Sequence, residues 1–113
     1  MEDDLSKLLQ RYRQGAVGWA SAPKPARANK CQARLDAAYR ALRETQAGRE
    51  CLAGLMADPE PAVRVWAAAH SLKWSPDAAR RALEELRDSE GPFSFTAEMT
   101  LEQFDRGRLT FDR

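Results

Sequence analysis

The chain has 113 residues and a mass of 12.7 kDa, the size of one hydrophobic core. Its 43% hydrophobic and 31% charged content is ordinary globular chemistry, which excludes the disordered and membrane-spanning classes. The formal net charge is +1, from 18 basic and 17 acidic side chains, but the two signs are not mixed evenly. From Lys7 to Arg49 ten basic residues meet only two acidic ones, Asp36 and Glu44, whereas from Asp58 to Arg113 eleven acidic residues meet eight basic. A basic first half thus precedes a mildly acidic second half.

Ile is absent and Val occurs three times, at Val17, Val63 and Val65, which argues against a sheet. Leu5, Leu8, Leu9 and Tyr12 fall on one helical face, with Asp3 or Asp4 as a cap and Gly15 as the predicted end. Residues 16–25, with Gly18, Pro23 and Pro25, read as a loop holding Trp19. A second helix is predicted from Pro25 to Ala47, its apolar stripe Cys31, Leu35, Ala38, Tyr39 and Leu42, closed by Gly48. A third spans Arg49–Ala57 and carries Leu52, Leu55 and Met56. After the turn Asp58-Pro59-Glu60-Pro61, with Asp58 as cap, a fourth runs from Pro61 to Lys73. Ser75-Pro76-Asp77 opens a fifth, which Gly91-Pro92 breaks. A short sixth is expected around Ala97–Arg106, beginning at Leu101 if Thr100 and Gln103 form a capping box. Gly107 suits the position after its last turn, and Leu109 and Phe111 are expected to fold back onto the core.

Catalytic chemistry finds few residues. His70 is the one histidine and lies seven residues after Val63 on the same helical face, where a packed structural role is expected over a general base. Cys31 and Cys51 sit on or beside apolar stripes as small core residues. They are too few for a disulfide scaffold and lack metal-ligand spacing, so neither a metal nor a cofactor is expected. No phosphate-binding loop, calcium loop or dinucleotide fingerprint occurs. The N-terminus runs from acidic to amphipathic, the wrong order for a signal peptide, and with the sparse cysteines this predicts a cytoplasmic location.

Binding chemistry is better represented. Arg27, Lys30 and Arg34 share one helical side, with Lys24 just before it and Trp19 nearby. Such a row suits an acidic protein surface or, through phosphates and stacking, a nucleic acid. Glu84, Glu85, Asp88 and Glu90 form an acidic group that reads as a solvated face or a meeting point for a basic partner. Val65, Ala68, Ala69 and Leu72 mark one face of the fourth helix, and Val63, Ala67 and His70 another. Trp66 lies off the centre of both, so it is a candidate interface anchor, although core packing is favoured. Trp74 continues the packed face of His70.

The segment CLAGLMADPEPAVRVWAAAHSL resembles a HEAT repeat, a helical hairpin of the solenoid class. The carriers are Leu52, Leu55 and Met56, the Asp58-Pro59 turn, Val63-Arg64 and the pair Ala67-Ala68, with departures at His70, Ser71 and Leu72. Alanines permit close helix approach, and an arginine just after the turn can reach back to the aspartate. Residues 5–109 are similar to a family of small bacterial proteins of unknown function with a HEAT-like helical fold. Asn29, Val63-Arg64, Ala67-Ala68, Pro76-Asp77-Ala78-Ala79-Arg80, Ala97-Glu98-Met99-Thr100-Leu101 and Gly107-Arg108-Leu109 carry that likeness. It implies one all-α domain over residues 1–113, five to six helices in HEAT-like hairpins forming a short right-handed stack. It also implies the role of an immunity protein that neutralises a cognate secreted toxin. The expectation is therefore a non-enzymatic binding protein, monomeric when free, with Trp19, Lys24, Arg27, Lys30, Arg34, Trp66 and His70 as partner contacts. Nucleic-acid binding by residues 24–43 is the alternative.

Overall fold

The computed structural model of the chain describes residues 2–109. Every regular element among them is helical: α1 (Glu2–Ser21), α2 (Pro25–Leu42), α3 (Gln46–Gly54), a 3₁₀ turn (Leu55–Ala57), α4 (Pro61–Ser71), α5 (Pro76–Asp88) and α6 (Ser94–Asp105). The chain is all-α, as its composition predicts. The helices fall into two compact units, Met1–Gly54 and Leu55–Arg113.

In the first unit α1 pairs along its length with α2, and α3 packs on both. α1 does not stop at Gly15 but continues through Trp19 to Ser21, so most of the predicted loop is helical. The reason is steric. A Cβ at Gly15 would lie 2.9 Å from the Cys31 carbonyl oxygen and 2.9 Å from the Leu35 Cβ, and one at Gly18 would lie 2.7 Å from the Cys31 Sγ. Gly15 lets the α1 backbone approach that of α2, Gly18 makes room for the Cys31 side chain, and that packing offsets the roughly 1 kcal/mol each costs within a helix. Tyr12 and Ala16 are fully buried on α1, as are Leu35, Ala38, Tyr39 and Leu42 on α2. Lys24 is extended and Pro25 takes the first helical position, where its missing N–H leaves nothing unsatisfied.

α2 ends at Leu42, five residues before the predicted Ala47. Arg49 donates from Nη1 to the Arg43 carbonyl at 2.7 Å, and the Gly48 N–H donates to Thr45 Oγ1 at 2.9 Å. Thr45 thus caps α3, while Arg49 satisfies a carbonyl left over at the end of α2. Gly48 does not terminate a helix. It lies inside α3, where a Cβ would come within 1.9 Å of the Leu42 carbonyl oxygen.

In the second unit the predicted third helix has already broken, at Gly54, and Leu55–Ala57 tightens into the 3₁₀ turn. Asp58 caps the turn rather than the helix: its Oδ1 accepts the Glu60 N–H at 2.9 Å, and Glu60 is the N-cap of α4. Arg64 reaches back as its position after the turn predicts, donating to the Asp58 carbonyl at 3.2 Å. α4 packs on α5 and α5 on α6. Val65, Ala68, Leu72, Ala79, Leu83, Leu86, Ala97 and Leu101 form the core. Ser71, at the end of α4, is fully buried as well.

α6 begins three residues earlier than predicted. Thr100 lies within it and donates its hydroxyl to the Thr96 carbonyl at 2.7 Å, so it forms no capping box. The C-terminal end matches expectation. Gly107 has a φ of 69°, the Arg108 N–H reaches the Gln103 carbonyl at 2.9 Å, and the Gly107 N–H reaches Phe104 at 3.0 Å. This is a Schellman motif. It returns Leu109 to the core; Phe111 lies outside the described residues.

Two substitutions check this account. Gly15→Ala pushes a methyl into backbone and should lower unfolding stability by about 1–3 kcal/mol in a denaturant titration. Glu90, just past α5, has a left-handed φ of 56°, so Glu90→Gly should raise stability by about 1 kcal/mol.

Candidate functional site

Lys24, Arg27, Lys30 and Arg34 are all exposed along one side of α2. Their helical spacing explains the row, and burial of Cys31 and Leu35 toward α1 leaves this side to water. At Arg34 the row meets a groove between α1 and α2 of about 620 Å³, lined by Leu8, Arg11, Gln14, Arg34, Ala37, Ala38 and Ala41. Within that lining Ala38 is buried and Leu8 half-buried, while Arg11, Gln14, Arg34, Ala37 and Ala41 are exposed. Such a groove offers apolar contact beside cationic donors suited to carboxylates or phosphates. Trp19 is half-buried near the end of α1, on a helix rather than in a loop.

The other two predicted contacts lie on α4 of the second unit. His70 is 1% exposed, so it offers no surface to a partner and is withdrawn from the contact set. Its packed structural reading is the one the fold shows. The Trp66 ring lies 5.6 Å from the His70 ring at a tilt of 35°. Trp66 is half-buried against the second unit's core, the packing role that its sequence position favours.

Of the acidic group Glu85, Asp88 and Glu90 are exposed, as expected, and Glu84 is half-buried. Glu84, Glu85 and Asp88 flank a shallow groove of about 430 Å³ with Arg81 and Ser89. Arg87 donates to Asp88 at 2.9 Å, and that hydrogen bond holds the Asp88 carboxyl below the usual carboxylate range. Beside it, Met56, Ala57, Arg64, Ala82, Glu85, Leu86 and Ser89 line a cleft of about 470 Å³. Among the described residues no group of three His, Cys, Asp or Glu side chains could hold a metal ion. No helix there is long and apolar enough to cross a membrane.

Arg11 and Gln14 are site residues that the sequence reading did not select. Their signal was present, since Arg11 lies three residues after Leu8 at the border of the α1 stripe. Which α2 side chains they meet depends on the helix pairing, and that required the Gly15 and Gly18 contacts. Next to Arg11, the Tyr12 phenol is completely buried. Burial pushes its pKa well above the ordinary 10.0, helped by the nearby Tyr39 and Asp36. Tyr39 in turn carries the Arg43 guanidinium 5.2 Å from its ring centre.

No family model matches the chain, and no curated protein does. In structure the chain is similar to protein RPA1889 from Rhodopseudomonas palustris CGA009, with a TM-score of 0.85 and 24% identity. The match covers 94% of this chain and 92% of that one. At this identity the likeness establishes a common helical fold.

The Tyr12 environment makes a pH prediction. The folded protein keeps the phenol protonated at a pH where the unfolded chain releases its proton. Folded molecules then bind more protons than unfolded ones, and stability falls as pH rises above 10.0. Alkaline titration followed at the tyrosinate band should show Tyr12 ionising together with loss of helix, while exposed tyrosine in the denatured chain titrates lower.

Proposed function

We propose that the chain is a non-enzymatic protein-binding module whose contact surface is the basic row of α2 and the adjoining α1–α2 groove. The observation that carries this reading is the exposure of Lys24, Arg27, Lys30 and Arg34 leading into a groove lined by Arg11 and Arg34. Long-range attraction from the row speeds encounter with an acidic surface. The apolar surface of Leu8 and Ala38 then accepts an apolar side chain, which fixes register. Trp19 stands at the end of α1 as an aromatic neighbour of Lys24. A catalytic role finds less support: the one imidazole is buried, and Cys31 is packed against Gly18.

The concrete form of the proposal is an immunity protein that binds and neutralises a cognate secreted bacterial toxin inside the producing cell's cytoplasm. It rests on the family resemblance carried by Val63-Arg64, Ala67-Ala68, Pro76–Arg80 and Gly107-Arg108-Leu109. Those residues have structural roles here. Arg64 ties down the Asp58 turn, Ala67, Ala68 and Ala79 are buried, and Gly107 closes α6. They therefore support a common scaffold, and the partner is read from the basic surface. Nucleic-acid binding is the second reading, because the same cations suit phosphates. The apolar surface in the groove favours protein, since phosphate contacts need none.

The test is to look beside the chain's gene for a reading frame with a toxin-like C-terminal domain, as the immunity reading expects, and to titrate that domain with the chain by calorimetry. Reversing charge at Arg27, Lys30 and Arg34 should weaken binding at least about tenfold, mainly through slower association. Unchanged affinity, with the helix content of the variant intact, would falsify the α2 surface as the contact. A parallel titration with random-sequence duplex DNA decides the second reading. Tight binding with a steep log–log salt slope favours nucleic acid, whereas no measurable binding even at low salt removes it.

A further inference from the structure

Among the described residues of the second unit, the one large apolar side chain left exposed is Phe95, in the first turn of α6, at 71%. α6 already satisfies its unit's core through Ala97 and Leu101, with Phe93 and Phe104 packed against the same cluster. Phe95 adds nothing to that core. It is nonetheless held in place, because the Ser94 hydroxyl donates to the Arg87 carbonyl and ties the start of α6 to the last turn of α5. A lone exposed phenylalanine is common on protein surfaces. This one has a particular setting. The stretch from Glu84 to Glu98 carries five carboxylates, Glu84, Glu85, Asp88, Glu90 and Glu98, and one cation, Arg87, with Arg81 beside Glu84 and Asp88 and Arg64 beside Glu85. Arg87 is itself bonded to Asp88 and feels Glu84 and Glu98. Phe95 thus stands on a net-acidic stretch of the chain, with Glu98 one turn further along α6.

The α1–α2 groove is its counterpart. Buried Ala38 and half-buried Leu8 give it apolar surface, Arg11 and Arg34 line it as exposed cations, and its volume of about 620 Å³ is ample for a phenyl ring. Lys30 and Arg27 extend the positive charge along α2. We propose that Phe95 and its net-acidic stretch dock into the α1–α2 groove of a second copy of this chain. The free protein then self-associates reversibly and reserves its basic surface, in place of the monomer expected from the sequence. Each half of the interface combines apolar surface with charge, of opposite sign on the two sides, so burial of the ring and charge attraction favour the same contact. The two faces are different surfaces, so one copy's groove takes another copy's knob.

Sedimentation velocity of the full chain over a concentration series tests this at low and high salt. Association should increase with concentration and weaken with salt. Phe95→Ala should raise the dissociation constant about tenfold, and so should Arg11→Ala combined with Arg34→Ala. Circular dichroism confirms that each variant keeps its helices. The two variants mixed should form a one-to-one complex, because each supplies the face that the other lacks. A chain that stays monomeric throughout, an association indifferent to Phe95→Ala, or a mixture that yields no complex overturns the assignment. The knob would then be left to a basic partner of another sequence. Titrating the candidate toxin against Phe95→Ala, which leaves α2 untouched, judges the partner reading separately.

Discussion

The contact of Gly15 and Gly18 with Cys31 and Leu35 is the constraint on which the basic surface depends. Two helices that lack side chains at the crossing can bring their backbones together. Once they do, the rotation of α2 is fixed. Cys31, Leu35, Ala38, Tyr39 and Leu42 face inward, and Ala33, Arg34, Ala37, Arg40 and Ala41 face water. The same rotation that buries the stripe sets Lys24, Arg27, Lys30 and Arg34 in one exposed row and places Arg34 across a groove from Arg11. A bulkier residue at Gly15 would push against the α2 backbone, separate the helices and change what the groove can hold. Packing at the crossing and charge on the surface are thus two consequences of one steric fact.

The second unit is organised differently. Its core is a set of alanine and leucine contacts among α4, α5 and α6, closed at one end by the Asp58 turn and at the other by the Schellman motif at Gly107. Short-range hydrogen bonds fix both ends: Arg64 to the Asp58 carbonyl, and Arg108 N–H to the Gln103 carbonyl. These devices leave the carboxylates of α5 and the ring of Phe95 on the outside. The first unit therefore carries a net positive charge and the second a net negative one, and the near-zero net charge of the chain is their sum.

Most of the helical architecture was legible in the sequence because it rests on period and on prolines at first helical positions. Pro25, Pro61 and Pro76 each begin the helix they were expected to begin. The misreadings cluster at glycines and threonines. Gly15 and Gly48 read as helix ends by local preference, yet both serve a close backbone approach that only tertiary packing reveals. Thr45 caps a helix that the stripe of α2 seemed to run through, while Thr100, which looked like a cap, bonds back within its own helix. The exposed basic row was legible for the same reason as the helices. Arg11 and Gln14 were not, because a groove belongs to two helices and periodicity describes one at a time. His70 illustrates the limit in the other direction: its face was read correctly, and burial on that face is what disqualifies it as a contact.

The central claim is that this chain acts through the α2 row and the α1–α2 groove. Amide chemical-shift mapping of the chain titrated with its cognate partner tests it most directly. The account predicts perturbations concentrated on Arg11, Gln14 and the segment from Lys24 to Arg34, with the amides around His70 largely unmoved. Perturbations centred on α4, with the Lys24–Arg34 segment silent, would contradict it.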